Sequence, residues 1–143
     1  MPDMPETVLA FDFGRRRIGV AVGQQVTGSA SPLGVVRNGK EGPDWERVEQ
    51  LIGEWRPARI IVGMPLHADG TRSDITELVD GFIEQIGRFG LQIETVDERY
   101  SSLEAESMLK SGRATGLHGR INKERIDTAA AVLIAERWLG KIG

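Results

Sequence analysis

Three apolar, strand-like runs, Val8 to Phe13, Ile18 to Val22 and Ser31 to Val36, follow one another with only short polar or glycine-containing gaps between them. Those gaps are shorter than the dozen or so residues that a crossover between parallel strands needs. The runs therefore have to pair as an antiparallel meander, with Gly14, Gly28, Pro32 and Asn38-Gly39 as its punctuation. Beyond them the apolar period changes. Trp45, Val48, Leu51, Ile52 and Trp55 fall at helical spacing, with Pro57 just past the end. "ARIIVGMP" reads as a fourth, β-branched strand and "HADGTRSD" as a turn. Ile75, Leu78, Val79, Phe82, Ile83 and Ile86 make one helical stripe closed by Gly87 and Gly90, and "LQIETV" is a fifth strand. Ser101 with Glu104 resembles a capping box opening a helix to about Lys110. "SGRATGLHGRINK" is a polar, glycine-containing loop expected to be mobile, and a last helix runs from roughly Lys123 to Leu139. The order β-β-β-α-β-α-β-α-α implies an α/β fold, a mixed five-stranded sheet flanked by helices. At 143 residues, without repeats, it is one domain spanning 1-143.

Composition narrows the chemistry. The chain has no cysteine, which excludes disulfides, thiolate metal sites and thiol nucleophiles. Its two histidines, His67 and His118, are too few for a histidine cage. No apolar run approaches the ~20 residues of a membrane span. "MPDMPETV" lacks the basic-then-apolar order of a secretion signal, so a cytoplasmic protein is the default expectation. The net charge of −3 argues against a generally basic coat, though local basic patches remain.

Three acids stand out by their apolar surroundings. Asp12 lies in the first strand, Glu98 follows the fifth in "TVDERYSS", and Asp127 opens "IDTAAAVLIAERWL". A carboxylate in such a setting is costly unless a cation, metal or hydrogen bonds hold it. Carboxylates are the hard oxygen ligands that Mg²⁺ prefers, and paired ions held this way hydrolyse phosphodiesters. Each acid also has a plainer reading: a turn residue for Asp12, a surface ion pair with Arg99 for Glu98, and a helix-dipole partner for Asp127. Two basic clusters adjoin them. Arg15, Arg16 and Arg17 follow Asp12, while Lys110, Arg113, His118, Arg120, Lys123 and Arg125 precede Asp127 with Glu124 as the only acid among them. Phosphate binding is the reading favoured over a merely solvated surface. The tryptophans Trp45, Trp55 and Trp138 are not interleaved with basic residues and read as core.

"FDFGRRRIGVAVG", "IIVGMPLHADGT", "VDERYSSLEAE" and "IDTAAAVLIAERWL" occur in the order, and at about the spacing, of the YqgF (RuvX) family, which the chain resembles from about Val8 to Leu139. That resemblance implies a ribonuclease H-like fold and a resolvase-like nuclease that processes the 5′ end of pre-16S rRNA in ribosome biogenesis. It makes Asp12, Glu98 and Asp127 the catalytic acids and the ligands of Mg²⁺ or Mn²⁺. Arg15, Arg16, Arg17, Arg113, Arg120 and Lys123 are the expected substrate-binding residues. Implied partners are nucleic acid (precursor rRNA first, branched DNA second) and a ribosomal precursor particle, with a monomer or a homodimer both open. "DERYSS" stands where the family often has a leucine and two threonines. Glu124 is the nearest candidate for the fourth acid that resolvases carry. Strand alternation sets Asp97 and Glu98 on opposite faces, and the family pattern selects Glu98. Two other readings compete. Actin- and Hsp70-like ATPases share an Asp-x-Gly turn before a hairpin but need a second lobe, for which this chain is too short. A catalytically silent nucleic-acid or ribosome-associated factor would not require all three acids.

Overall fold

The computed structural model describes residues 5–65, 71–97 and 123–142, with side chains of the last stretch described from 128 to 140. The helix expected after Ser101, the loop from 111 to 122, and the residues Glu98, His67, His118, Arg113 and Arg120 lie outside the described residues.

The expected meander is present as β1 (Thr7–Asp12), β2 (Arg17–Gln24) and β3 (Ser29–Gly39). A helix α1 (Trp45–Trp55), strand β5 (Arg59–Met64), helix α2 (Asp74–Ile86), strand β6 (Gln92–Asp97) and helix α3 (Lys123–Ile142) follow. The expected five strands become six. A two-residue strand β4 (Gly42–Pro43) pairs with Asn38 and Gly39, so this dipeptide is the end of β3 rather than a turn. The sheet order is β4-β3-β2-β1-β5-β6, antiparallel from β4 to β1 and parallel across β1, β5 and β6.

Alternation along the strands builds two cores. Leu9, Phe11, Ile18, Val20, Ile60 and Val62 face α1 and α2, where Val48, Leu51, Val79, Phe82 and Ile86 close over them. Val8, Ala10, Ile61 and Val96 face the other way, against Ile134, Ala135, Trp138 and Leu139 of α3. The tryptophans are packing residues, as expected. Trp45 stacks on Phe82 with ring centroids 5.6 Å apart, Trp55 packs on the first core, and Trp138 is buried in the second.

The α2 stripe is turned from its expected position. Thr76 is fully buried and its hydroxyl donates to the Pro65 carbonyl at 2.6 Å, while Leu78 is 42% exposed. A threonine wins the inward position because the carbonyl at the end of β5 needs a donor there. α2 then ends in a single 3-10 turn, Gly87–Phe89, and Gly90 takes the left-handed conformation, as the two glycines suggested.

The C-terminal half of α3 sits over the start of β1. A side chain on Gly23, the partner of Val8, would meet Ala135 and Leu139. Nearby, Arg59 donates to Glu6 at 2.6 Å and to Glu94 at 2.7 Å, and Glu94 also accepts from the Trp138 indole at 3.2 Å. These hydrogen bonds hold the Arg59 guanidinium pKa above its ordinary value, with Glu6 the larger contributor. The charges at this end of the sheet satisfy one another. The opposite end is different.

Candidate active site

Parallel strands β1, β5 and β6 all finish at one edge, where β1 ends at Asp12, β5 at Met64 and β6 at Asp97. Open α/β sheets bind ligands outside the carboxyl ends of such strands. Asp12 has the alternation of Val8 and Ala10, which directs its side chain to the α3 face. It is 9% exposed. Its antiparallel partner on β2 is Gly19. On the other side the last β1–β5 pair is Phe11 with Val62, so the next residue of β5, Gly63, is level with Asp12. Both neighbours of Asp12 in the sheet therefore lack a side chain. The carboxylate stands at the rim of the second core, with glycine directly opposite it on both adjacent strands.

The turn after Asp12 is tightly built. A Cβ on Gly14 would lie 2.3 Å from the Arg17 carbonyl oxygen, so only glycine closes this turn without displacing the backbone. Asn38, 8% exposed, fastens it from β3: its Nδ2 donates to the Gly14 carbonyl at 2.7 Å and its backbone N–H to the Arg16 carbonyl at 2.9 Å. Asn38 is the residue that sequence reasoning missed. Its tether spans 24 positions and leaves no local signal.

Of the expected substrate-binding arginines, Arg15 and Arg16 are exposed in this turn and Arg17 opens β2, half-buried. Arg15 borders cavities on the α2 side. Asp97 is exposed and has the alternation of Ile93, which packs in the first core, away from α3. Its carbonyl accepts from Arg137 at 2.7 Å. Strand alternation alone gives its side chain the face opposite that of Asp12. Glu98 lies outside the described residues. Asp127, Lys123 and Glu124 lie on α3, their side chains outside those described. Among the described residues no three acidic or histidine side chains form a metal-holding group.

The family model for RuvX, described as Holliday junction resolvase, matches residues 6–141. An Edwardsiella ictaluri protein provisionally named a pre-16S rRNA nuclease is 44% identical over 135 residues, covering 94% of each chain. An Escherichia coli protein of the same name is 46% identical over 136 residues, covering 94% of this chain and 96% of its own. Among solved structures, Thermus thermophilus RuvC in complex with a Holliday junction substrate superposes with a TM-score of 0.57 at 17% identity, covering 96% of both chains. The yeast mitochondrial Holliday junction resolvase gives 0.55 at 11% identity, covering 92% of this chain and 77% of its own. At those identities the likeness is one of fold, the ribonuclease H-like sheet of the resolvases.

Proposed function

The chain belongs to the RuvX family, and on that premise we propose that it is a metal-dependent nuclease that hydrolyses phosphodiester bonds, with precursor 16S rRNA as substrate. The observation that carries the reading is Asp12: a buried carboxylate at the end of a central strand, flanked in the sheet by two glycines. A carboxylate buried there has to be held by a cation or by hydrogen bonds, and the missing side chains at Gly19 and Gly63 leave room beside it for an ion. A hard carboxylate oxygen suits Mg²⁺ or Mn²⁺.

Two further acids complete the set in this proposal. Ala135 lies over Val8, at the start of β1. Eight helical residues back from Ala135 span ~12 Å, and four strand residues on from Val8 span ~13 Å. In this proposal residue 127, two turns before Ala135 on α3, comes to the Asp12 end of the sheet. Glu94 and Val96 are the α3-facing residues of β6, and their sequence parity supports giving Glu98 to the same face. The donor set, three carboxylates from three elements, fits a divalent ion and a substrate phosphate. When bound, such an ion lowers the pKa of a coordinated water and neutralises charge on the leaving oxygen.

The protein's own part is positional. The Asn38 tether and the Gly14 turn hold the end of β1, so Asp12 meets the ion without reorganising. Arg15, Arg16, Arg17, Arg113, Arg120 and Lys123 hold the phosphate backbone on either side. No helix among the described residues is long and apolar enough to cross a membrane, and we place the activity in the cytoplasm, on a ribosomal precursor particle. The fold of the Holliday junction resolvases favours a second reading, cleavage of branched DNA.

A side-by-side assay on 5′-extended 16S precursor RNA and four-way DNA junctions distinguishes them. Metal-dependent cleavage of the RNA, lost in Asp12→Asn, is expected. Cleavage confined to the junction transfers the activity to DNA, and cleavage of neither leaves a silent factor.

A further inference from the structure

On the other side of the strand that ends in Asp12 lies a cavity of about 380 Å³, between α2 and the β3–β4 hairpin. Ligand pockets of ~300–1,000 Å³ are the usual size for small molecules. Phe13 and Leu78 supply its apolar surface, Phe82 backs it with its ring 5.3 Å from that of Phe13, and Gly81 leaves one wall open. Leu78 is one of only two exposed large apolar side chains among the described residues, the other being the distant Val26. At the rim stand Arg15 and Lys40, both exposed and neither ion-paired among the described residues. The one acid lining the cavity, Glu77, is already engaged by Arg72 at 3.3 Å. The amide of Gln85 offers a neutral donor and acceptor, while that of Asn38 is committed to the Gly14 carbonyl.

We propose that this cavity takes up one unstacked base of a single-stranded nucleic acid, with the adjoining phosphate held by Arg15 and Lys40. An aromatic and aliphatic floor accepts any base through its π-face, while unpaired cations at the mouth match the charge of the backbone. Phe13 follows Asp12 in the chain, so a strand crossing this edge of the sheet passes from the acid on one face to the cavity on the other. The inference rests on the nuclease reading for its choice of ligand, but its test does not require cleavage.

The test uses the full chain carrying Asp12→Asn, in the presence of EDTA. Its probe is a short fluorescent single-stranded RNA in which one abasic site is moved along the strand. Anisotropy should reveal one position where loss of the base weakens binding roughly tenfold, the contribution of one stacked base. Gly81→Leu fills the cavity. A Cβ there meets nothing within 4 Å, and leucine is the better helix former, so the variant should fold, as a thermal melt will verify. It should weaken the intact RNA by a similar factor and abolish the dependence on that abasic position. Lys40→Ala should make the log–log salt slope shallower by ~0.7. Absence of any sensitive position, or sensitivity that persists in Gly81→Leu, would overturn the proposal. A chain that cuts no substrate yet shows this dependence keeps the base pocket and loses the nuclease reading. A chain that cuts precursor RNA without it does the reverse.

Discussion

Asn38→Ala removes the side-chain tether on the turn that follows Asp12. The Gly14 carbonyl then loses a donor at 2.7 Å in a site where Asn38 itself is 8% exposed. Leaving this partly buried carbonyl without its donor costs ~1–3 kcal/mol. For a domain of this size that lowers the melting temperature by roughly 3–10 °C. The backbone bond from Asn38 to the Arg16 carbonyl survives, so the turn loosens rather than unfolds. Gly14 is two residues from Asp12, and a displacement of about 1 Å in a reacting constellation can cost ~10²-fold in rate. Asn38→Asp should be worse than alanine at neutral pH, because it sets a carboxylate oxygen against the Gly14 carbonyl in place of a donor. Calorimetry with single-turnover cleavage separates the effects: stability and the rate at saturating RNA should both fall, in the order wild type, alanine, aspartate. Unchanged melting temperature and rate in Asn38→Ala, or an aspartate variant as stable as wild type, would refute the tether.

Two other perturbations probe separate links. Thr76→Val keeps the shape of a fully buried side chain but removes both the donor to Pro65 and the acceptor of the Ser73 backbone N–H; urea unfolding should show a loss of ~1–3 kcal/mol at constant m, and an unaltered midpoint would contradict the role given to this hydroxyl. In the segment before α3, the double variant Arg113→Ala/Arg120→Ala should make the salt dependence of single-strand binding shallower by ~1.4, at ~0.7 per phosphate, with the rate largely restored at saturating substrate. An unchanged slope and affinity would return these arginines to the solvated surface.

The order of elements along the chain and a mixed sheet flanked by helices were legible because period alone separates the meander from the helices that follow. The misplaced boundaries share a cause: local chemistry resembled one thing and distant partners made it another. Asn38-Gly39 has the composition of a turn, yet pairing with Gly42–Pro43 carries β3 through it, and β4 is too short to show any period. Leu78 looked like core until Thr76 found a carbonyl at the end of β5. Asp12 was conspicuous as an acid among apolar residues. The feature that opens space around it, glycine at both flanking positions, emerges only once the register sets Gly19 and Gly63 beside it. Glu98 and Asp127 are assigned from the family motifs rather than from their own neighbourhoods, where an ion pair and a helix-dipole partner fit equally well.

The central claim is that Asp12, Glu98 and Asp127 hold one ion. Mn²⁺ binding, followed by the loss of the free-ion electron paramagnetic resonance signal, tests it without any substrate. Wild-type protein should bind Mn²⁺, and Asp12→Asn, Glu98→Gln and Asp127→Asn should each weaken binding at least tenfold, with double variants losing less than the sum. Asp97→Asn, on the opposite alternation of β6, should bind as wild type does. Full Mn²⁺ affinity in Glu98→Gln or Asp127→Asn, or its loss in Asp97→Asn, would contradict the assignment.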